Sequence, residues 1–431
     1  MKIAMLTNNY RPFLGGVPIS VERQAHELIA LGHEVTVFAP EYGDTGEDDS
    51  RAPERIIRYH SQKRKMENGM VYPGLFPGEI LRVFEEESFD CIHVHHPMFV
   101  GPLALYLGRK YGIPVIYTYH TRYEDYVHYI PCFRIRENSF AGKKKMVGWL
   151  RETVIPRYMK WFANQCDLVL APSAGMQQIL RKYGVTSRTA VFPTGLADEF
   201  FDRKAEHARE IREKYGKGKK YLFVTVSRLE KEKNYGFLLR GIADIKHKIG
   251  SCFHVMILGD GRQKSELKVR ASILGIQDVV TFVGSVPNEE VKDYLSASDV
   301  FLFASKSETQ GIVLAEAMAA GCPVVAVHAV GADDIVRTGV NGYLTEEKED
   351  LWAEAVINAA GAESLAKAAL RTAENYRSSV LARYEEMLYN QCICEKRSSR
   401  QTQQIRIGDG KEEGIYEDQE NRGKGPAMLI R

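Results

Sequence analysis

Short apolar strands alternating with amphipathic helices run through this chain twice, and the second series restarts at Tyr221. The first series reads as strands at Lys2–Leu6, Glu34–Phe38, Asp90–His95, Pro114–Tyr119 and Asp167–Ala171, with a helix at Val17–Leu31 closed by Gly32. The second reads as strands at Tyr221–Val226, Phe253–Leu258, Val279–Phe282, Val300–Phe303 and Pro323–Val327. Helices are predicted there at Tyr235–Lys248, Arg262–Leu274, Glu289–Ser296 and Ile312–Ala320. Segments such as Val115-Ile116-Tyr117 are apolar on both faces, as in a parallel sheet covered by helices on each side. Such alternation winds into an open sheet, and 431 residues exceed what one core serves. The expected fold class is α/β, with two Rossmann-like domains facing each other across a cleft. The expected divisions are a first domain at 1–200, a polar linker at 201–220, a second domain at 221–376 and a helix at 377–391 that can return to the first domain. The polar residues 396–431 are expected to be disordered.

Several classes of protein are excluded at this level. No apolar run reaches the roughly 18 residues of a membrane span. Met1–Thr7 is too short and too strand-like for a signal peptide, with Asn8 and Asn9 following. A cytoplasmic protein is expected. The seven cysteines have no zinc-site spacing and read as reduced thiols. A net charge of +2 gives no reason to expect a nucleic-acid partner.

Ligands of open α/β sheets bind beyond the carboxyl ends of the strands, so candidate residues are sought there. Gly15 and Gly16 stand between the first strand and its helix. The free N–H groups of a helix start suit a phosphate, although a plain loop also accounts for the pair. Arg228 and Lys233 follow the strand that opens the second half and could reach a diphosphate; a solvated loop is the other reading. Glu308 and Glu316 flank Gly311-Ile312-Val313 at a predicted helix start. Glu316 lies in an apolar run, where a carboxylate needs a partner: ribose hydroxyls, or a buried cation. His120 ends a first-half strand, placed either for proton chemistry or for structure. Gly259-Asp260-Gly261 lacks the third glycine of a dinucleotide fingerprint, Lys264 standing in its place. No Asp-X-Asp occurs, so no metal is expected, and phosphate charge falls to Arg228, Lys233 and backbone N–H groups.

Taken together, the glycine pair, the Arg228 and Lys233 pair, and the two glutamates eight residues apart resemble the retaining GT-B glycosyltransferases of family four. The resemblance runs to about Gln391. It implies that Glu308 contacts the donor sugar, Glu316 the ribose, and Arg228 and Lys233 the diphosphate, with His120 beside the sugar near the reaction centre. It also implies that the backbone at Val283 contacts the base, and that no metal or other cofactor is used. Many members carry Glu-Gly-Phe-Gly where this chain has Glu308-Thr309-Gln310-Gly311. That form, with His120-Thr121-Arg122-Tyr123-Glu124-Asp125-Tyr126 and His128-Tyr129-Ile130-Pro131, is similar to bacterial diacylglycerol glucosyltransferases. The narrower resemblance implies UDP-glucose as donor and a membrane lipid as acceptor. A soluble acceptor, a mannosyl donor, an epimerase and a non-catalytic binding protein are the rival readings.

A basic stretch bears on the acceptor. Arg134, Arg136, Lys143, Lys144, Lys145 and Arg151 lie among aromatics that include Trp149, and Val147, Leu150, Val154, Tyr158 and Trp161 recur at helical spacing. Pro156 is expected to break or restart the helix. Such a surface suits an anionic membrane, which would make the protein peripheral at the cytoplasmic face. A solvated helix packed on the first domain is the alternative.

Overall fold

The computed structural model describes residues 1–420 apart from 14, 44–48, 66–69, 75–76, 126–140, 203–204 and 307. Two parallel sheets form. The first domain holds strands β1 (Lys2–Leu6), β2 (Glu34–Pro40), β3 (Arg55–Tyr59), a β4 (Ser61–Lys65) and β5 (Val71–Pro73) hairpin, β6 (Cys91–Val94), β7 (Val115–Thr118), β8 (Leu168–Ala171) and β9 (Thr189–Val191). Its seven-stranded sheet has the order β3-β2-β1-β6-β7-β8-β9. The second domain holds β10 (Tyr221–Val226), β11 (Phe253–Leu258), β12 (Val280–Gly284), β13 (Val300–Phe303), β14 (Val324–Val327) and β15 (Gly342–Thr345), ordered β12-β11-β10-β13-β14-β15. In both, the first strand lies inside and the order reverses beside it, opening a crevice at the strand ends.

The helices of the first domain are α1 (Gly16–Ala30), α2 (Gly78–Glu86), α3 (Val100–Tyr111), α4 (Ala141–Trp149), α5 (Ile155–Ala163) and α6 (Ala174–Tyr183). Those that follow are α7 (Ala205–Gly216), α8 (Tyr235–Ile249), α9 (Lys264–Ile273), α10 (Val291–Ser296), α11 (Ile312–Ala319), α12 (Val330–Ile335), α13 (Glu349–Ala359), α14 (Glu363–Ala373) and α15 (Ser378–Glu420). They cover both faces of each sheet, so Val115, Ile116 and Tyr117 are all buried, as their two-sided apolar pattern requires. Each such side chain contributes about 1.5–3 kcal/mol on burial.

The polar stretch at 201–220 is not an open linker. Its charged surface hides a helix, α7, whose Ala208 enters the second core and whose Arg212 binds Asp299 at 3.0 Å. The chain crosses between domains earlier, near Leu196, whose N–H donates to the Tyr376 carbonyl at 2.7 Å. The Ser378 N–H in turn donates to the Leu196 carbonyl at 2.8 Å, so the outgoing and returning chains are bonded side by side. The last helix returns to the first domain, where Leu381, Leu388, Tyr389, Cys392 and Ile393 join the core around α1.

That helix also continues past Gln391, and residues 396–400, expected to be disordered, lie against the first domain; residues 421–431 lie outside the described part. As far as Arg400 the helix is held on that domain by charged and polar contacts. Lys396 binds Asp167 at 2.8 Å, Arg397 binds Asp90 at 3.0 Å, and Arg400 donates to the Tyr111 carbonyl at 3.1 Å.

Pro156 does restart a helix. One π-helical stretch, Leu150–Val154, separates α4 from α5, and Pro156 sits in the first turn of α5, where its missing N–H costs nothing. Arg134 and Arg136 lie outside the described residues. Lys144, Lys145, Met146 and Trp149 are exposed, Lys143 is half-buried, and Val147 faces inward. Arg151 is exposed yet engaged, donating to the Glu124 carbonyl at 2.8 Å. Trp161 on α5 is also exposed. Among the described residues, no helix is long and apolar enough to cross a membrane.

Candidate active site

The two crevices open toward each other, and the loops beyond their strands touch. Gln310, buried, makes a two-point contact with first-domain backbone: its carbonyl accepts from the Thr194 N–H at 2.7 Å and its amide donates to the Thr194 carbonyl at 2.9 Å. Ser173, at the start of α6, donates to the Thr309 carbonyl at 2.7 Å. The Gly175 N–H donates to Asp334 at 3.0 Å. Thr309-Gln310, the departure from Gly-Phe, thus forms much of the bridge between the domains.

Glu308 lies beyond the end of β13, and Lys233 comes from the loop after β10, the neighbouring strand. Their side chains form an ion pair, with exposures of 17% for Lys233 and 18% for Glu308. At that burial neither charge is left to solvent alone. Arg228 is far more open at 58% and reaches Glu232 at 3.3 Å. The sequence pairs Arg228 with Lys233; the structure couples Lys233 first to Glu308.

Gly311 begins α11 in the left-handed region, φ 73°, which explains why glycine stands there. Ile312 and Val313 form the first turn and are half-buried. Glu316, a little over one turn along, is half-buried and makes neither an ion pair within 4 Å nor a side-chain hydrogen bond among the described residues. Burial raises its carboxyl above the usual range, while the charge of Arg23 works against that rise. Arg23 projects from α1 in the other domain and donates to the Gly195 carbonyl at 2.7 Å. Burial depresses its guanidinium and Glu316 opposes the depression. A buried ion pair is therefore not what satisfies Glu316.

Gly15 caps α1 with no side-chain bond, and the α1 first turn holds no acid. A Cβ on Gly16 would meet nothing within 4 Å, whereas one on Gly15 would lie 3.1 Å from the Phe13 ring. Val283 lies on the edge strand β12, where the pairing with β11 runs Ile257 to Phe282 and then Leu258 to Gly284. The register skips Val283. Gly259-Asp260-Gly261 serves the packing of two loops. A Cβ on Gly259 would lie 2.0 Å from the Ser227 carbonyl oxygen, and one on Gly261 2.4 Å from that of Leu229. Those glycines let this loop lie directly on the one that carries Arg228.

His120 follows β7 and is half-buried; burial pushes its imidazole down to about 3. Its Nε2 lies 2.9 Å from His95 Nδ1. Among the described residues, no three His, Cys, Asp or Glu side chains are grouped to hold a metal ion. Sequence reasoning missed Arg23, Gln310 and His95. The spacing of His93 and His95, two apart at a strand end, is the signal that could have found the last of them.

Twin open sheets with a bridged cleft, a basic loop and paired acids at a helix start define a GT-B glycosyltransferase, and the chain belongs to that family. Residues 14–200 match the model of Glycosyltransferase Family 4 and residues 207–377 that of Glycosyl transferases group 1. The chain is 32% identical to alpha-monoglucosyldiacylglycerol synthase of Streptococcus pneumoniae over 83% of its length and 78% of the relative's. It is 27% identical to the enzyme of the same name from Acholeplasma laidlawii, over 90% and 96%. It is 25% identical to a GDP-mannose-dependent alpha-(1-6)-phosphatidylinositol monomannoside mannosyltransferase of Mycolicibacterium smegmatis, over 79% and 84%. The crystal structure of Anabaena HepE in complex with UDP superposes with a TM-score of 0.69 at 19% identity, over 91% of this chain and all of that one.

Proposed function

We propose that the protein transfers glucose from UDP-glucose to membrane diacylglycerol with retention at the anomeric carbon. The observation that carries the donor half is the Lys233–Glu308 pair at the mouth of α11, set beside a Glu316 that has no hydrogen-bond partner among the described residues. In this reading Lys233 and Arg228 take the diphosphate, helped by the N–H groups at Gly15, Gly16, Gly311, Ile312 and Val313. Glu316 accepts from the ribose hydroxyls, the backbone at Val283, skipped in the β11–β12 register, meets the base, and Glu308 and His120 contact the glucose. No metal is needed, because the leaving charge already has cations and amides.

The acceptor hydroxyl oxygen attacks the anomeric carbon from the face that the phosphate leaves. The new carbon–oxygen bond forms as the old one breaks, and the hydroxyl proton passes to the departing phosphate oxygen. A covalent intermediate is disfavoured, since Glu308 is held by Lys233. The acceptor half rests on the relatives' name and on Met146 and Trp149 exposed beside Lys144 and Lys145, with Trp161 exposed on α5. That surface is proposed to sit on anionic lipid at the cytoplasmic face of the membrane.

The test is a donor-by-acceptor screen on lipid vesicles with mass analysis of products and NMR of the anomeric proton. A glucosyl diacylglycerol in the α configuration is expected from UDP-glucose, at a rate unchanged by EDTA. Product only from GDP-mannose would move the protein to the second reading, which the mannosyltransferase relative favours. No product with any acceptor would indicate a binding protein.

The two acids separate by experiment. Glu308→Gln is expected to lower turnover more than UDP affinity. Glu316→Gln should mainly weaken UDP, by about 1.5–3 kcal/mol for a charged hydrogen bond. Calorimetry with UDP beside turnover on vesicles checks both. Normal values in both variants would make the acids structural.

A further inference from the structure

Three imidazoles run inward from the cleft at the end of the first sheet. His93 on β6 and His95 just beyond it lie on one face, their ring centroids 4.1 Å apart. The His95 and His120 rings stack with centroids 5.2 Å apart and planes 25° apart. Burial drives His93 and His120 down to about 3, and His95 well below the usual value, so each ring is neutral with a single proton.

The inner end of the stack is fixed by the returning helix. Tyr389 donates to Glu385 Oε1 at 2.7 Å, and its oxygen lies 2.5 Å from His93 Nδ1. Burial pushes the Glu385 carboxyl up to about 8; where the phenol proton is given to Glu385, His93 donates its Nδ1–H to the phenol oxygen. His93 Nε2 then accepts from Thr118 Oγ1, 2.6 Å away.

His95 decides the outer end. One proton is shared between His95 Nδ1 and His120 Nε2, 2.9 Å apart. His95 Nε2 is buried and has no partner among the described residues. A buried N–H with no acceptor is rarer than an acceptor left unused. The His95 proton therefore belongs on Nδ1, given to His120 Nε2, and the single proton of His120 is left on its Nδ1. That nitrogen makes no hydrogen bond among the described residues.

We infer that His95 is a positioning residue, holding His120 as an Nδ1–H imidazole that offers this N–H to an oxygen of the sugar in the cleft. The inference rests on the reading of His120 as a neighbour of the donor sugar. It makes His120 a hydrogen-bond donor and not a proton acceptor in the transfer.

The experiment uses the full chain labelled with 15N-histidine, with the His120 signals assigned by their loss in His120→Gln. Two-bond nitrogen–proton spectra report the tautomer of each ring. The expected His120 pattern is Nδ1–H in the wild type. His95→Asn places an amide N–H near the old Nδ1 and should keep that pattern. His95→Phe removes the donor that fixes the tautomer and should raise the share of Nε2–H at His120. Alongside, His95→Phe should lower kcat with UDP-glucose roughly tenfold, the scale of one hydrogen bond, with UDP affinity unchanged and with most of kcat recovered in His95→Asn. An Nε2–H pattern for His120 in the wild type overturns the inference outright. If His95→Phe fails to fold, the wild-type and His95→Asn spectra still decide the tautomer. A tautomer switch with kcat intact leaves the ring assignment standing and overturns the role at the sugar, and with it the proposed placement of His120.

Discussion

Turnover in Lys233→Ala is expected to fall roughly a hundredfold or more, the scale seen when one group that meets developing charge is removed. The change acts twice. It takes a cation from the departing diphosphate, and it leaves the Glu308 carboxylate, 18% exposed, without its partner. The two contributions separate in a double-mutant cycle with Glu308→Gln, because the neutral amide no longer needs Lys233. Arg228→Ala should also be severe but milder, since Arg228 is open to solvent and already shared with Glu232. Circular dichroism melting shows whether the fold survives. Near-normal turnover in both single variants would remove the diphosphate from this loop.

Changing Lys143, Lys144 and Lys145 together to Glu is expected to cut partition onto anionic vesicles roughly a hundredfold at low salt, at about 1 kcal/mol for each lost cation. Three added carboxylates should deepen the loss, and raising salt should shrink it. Lys144 and Lys145 are exposed beside Met146 and Trp149, so both charge and apolar surface face outward there. UDP affinity should stay unchanged, because the proposed nucleotide contacts come largely from the second domain. Vesicle co-sedimentation and UDP calorimetry on the same variant check this. Undiminished binding to anionic vesicles would leave α4 as an ordinary solvated helix.

What was legible in the sequence was whatever leaves a local mark. Strands such as Val115–Thr118 and Phe253–Leu258 announce themselves by runs of apolar residues buried on both faces. The candidate positions could be chosen because sheets of this kind put loops at strand ends. What local pattern cannot carry is pairing at a distance. Arg23 looks like any helical arginine until the fold brings it near Glu316. Gln310 looks like a loop residue until Thr194, more than a hundred residues earlier, supplies both halves of its hydrogen bonding. The reach of α15 past Gln391 was hidden for a similar reason: Lys396, Arg397 and Arg400 find their partners only on the folded first domain.

The two chain crossings near Leu196 and Arg377 are bonded into a single joint. They are joined by the bonds of Leu196 to Tyr376 and Ser378, and by Ser379 to Asp198 at 2.8 Å. Two separate tethers would let the halves twist as well as part; a zipped pair leaves swinging about one axis as the easy motion. The Gln310–Thr194 contact lies beside that joint, two residues along the chain from Leu196, and braces it. Cutting the chain at Ser378 is therefore expected to loosen the joint between the domains as well as to free the last helix.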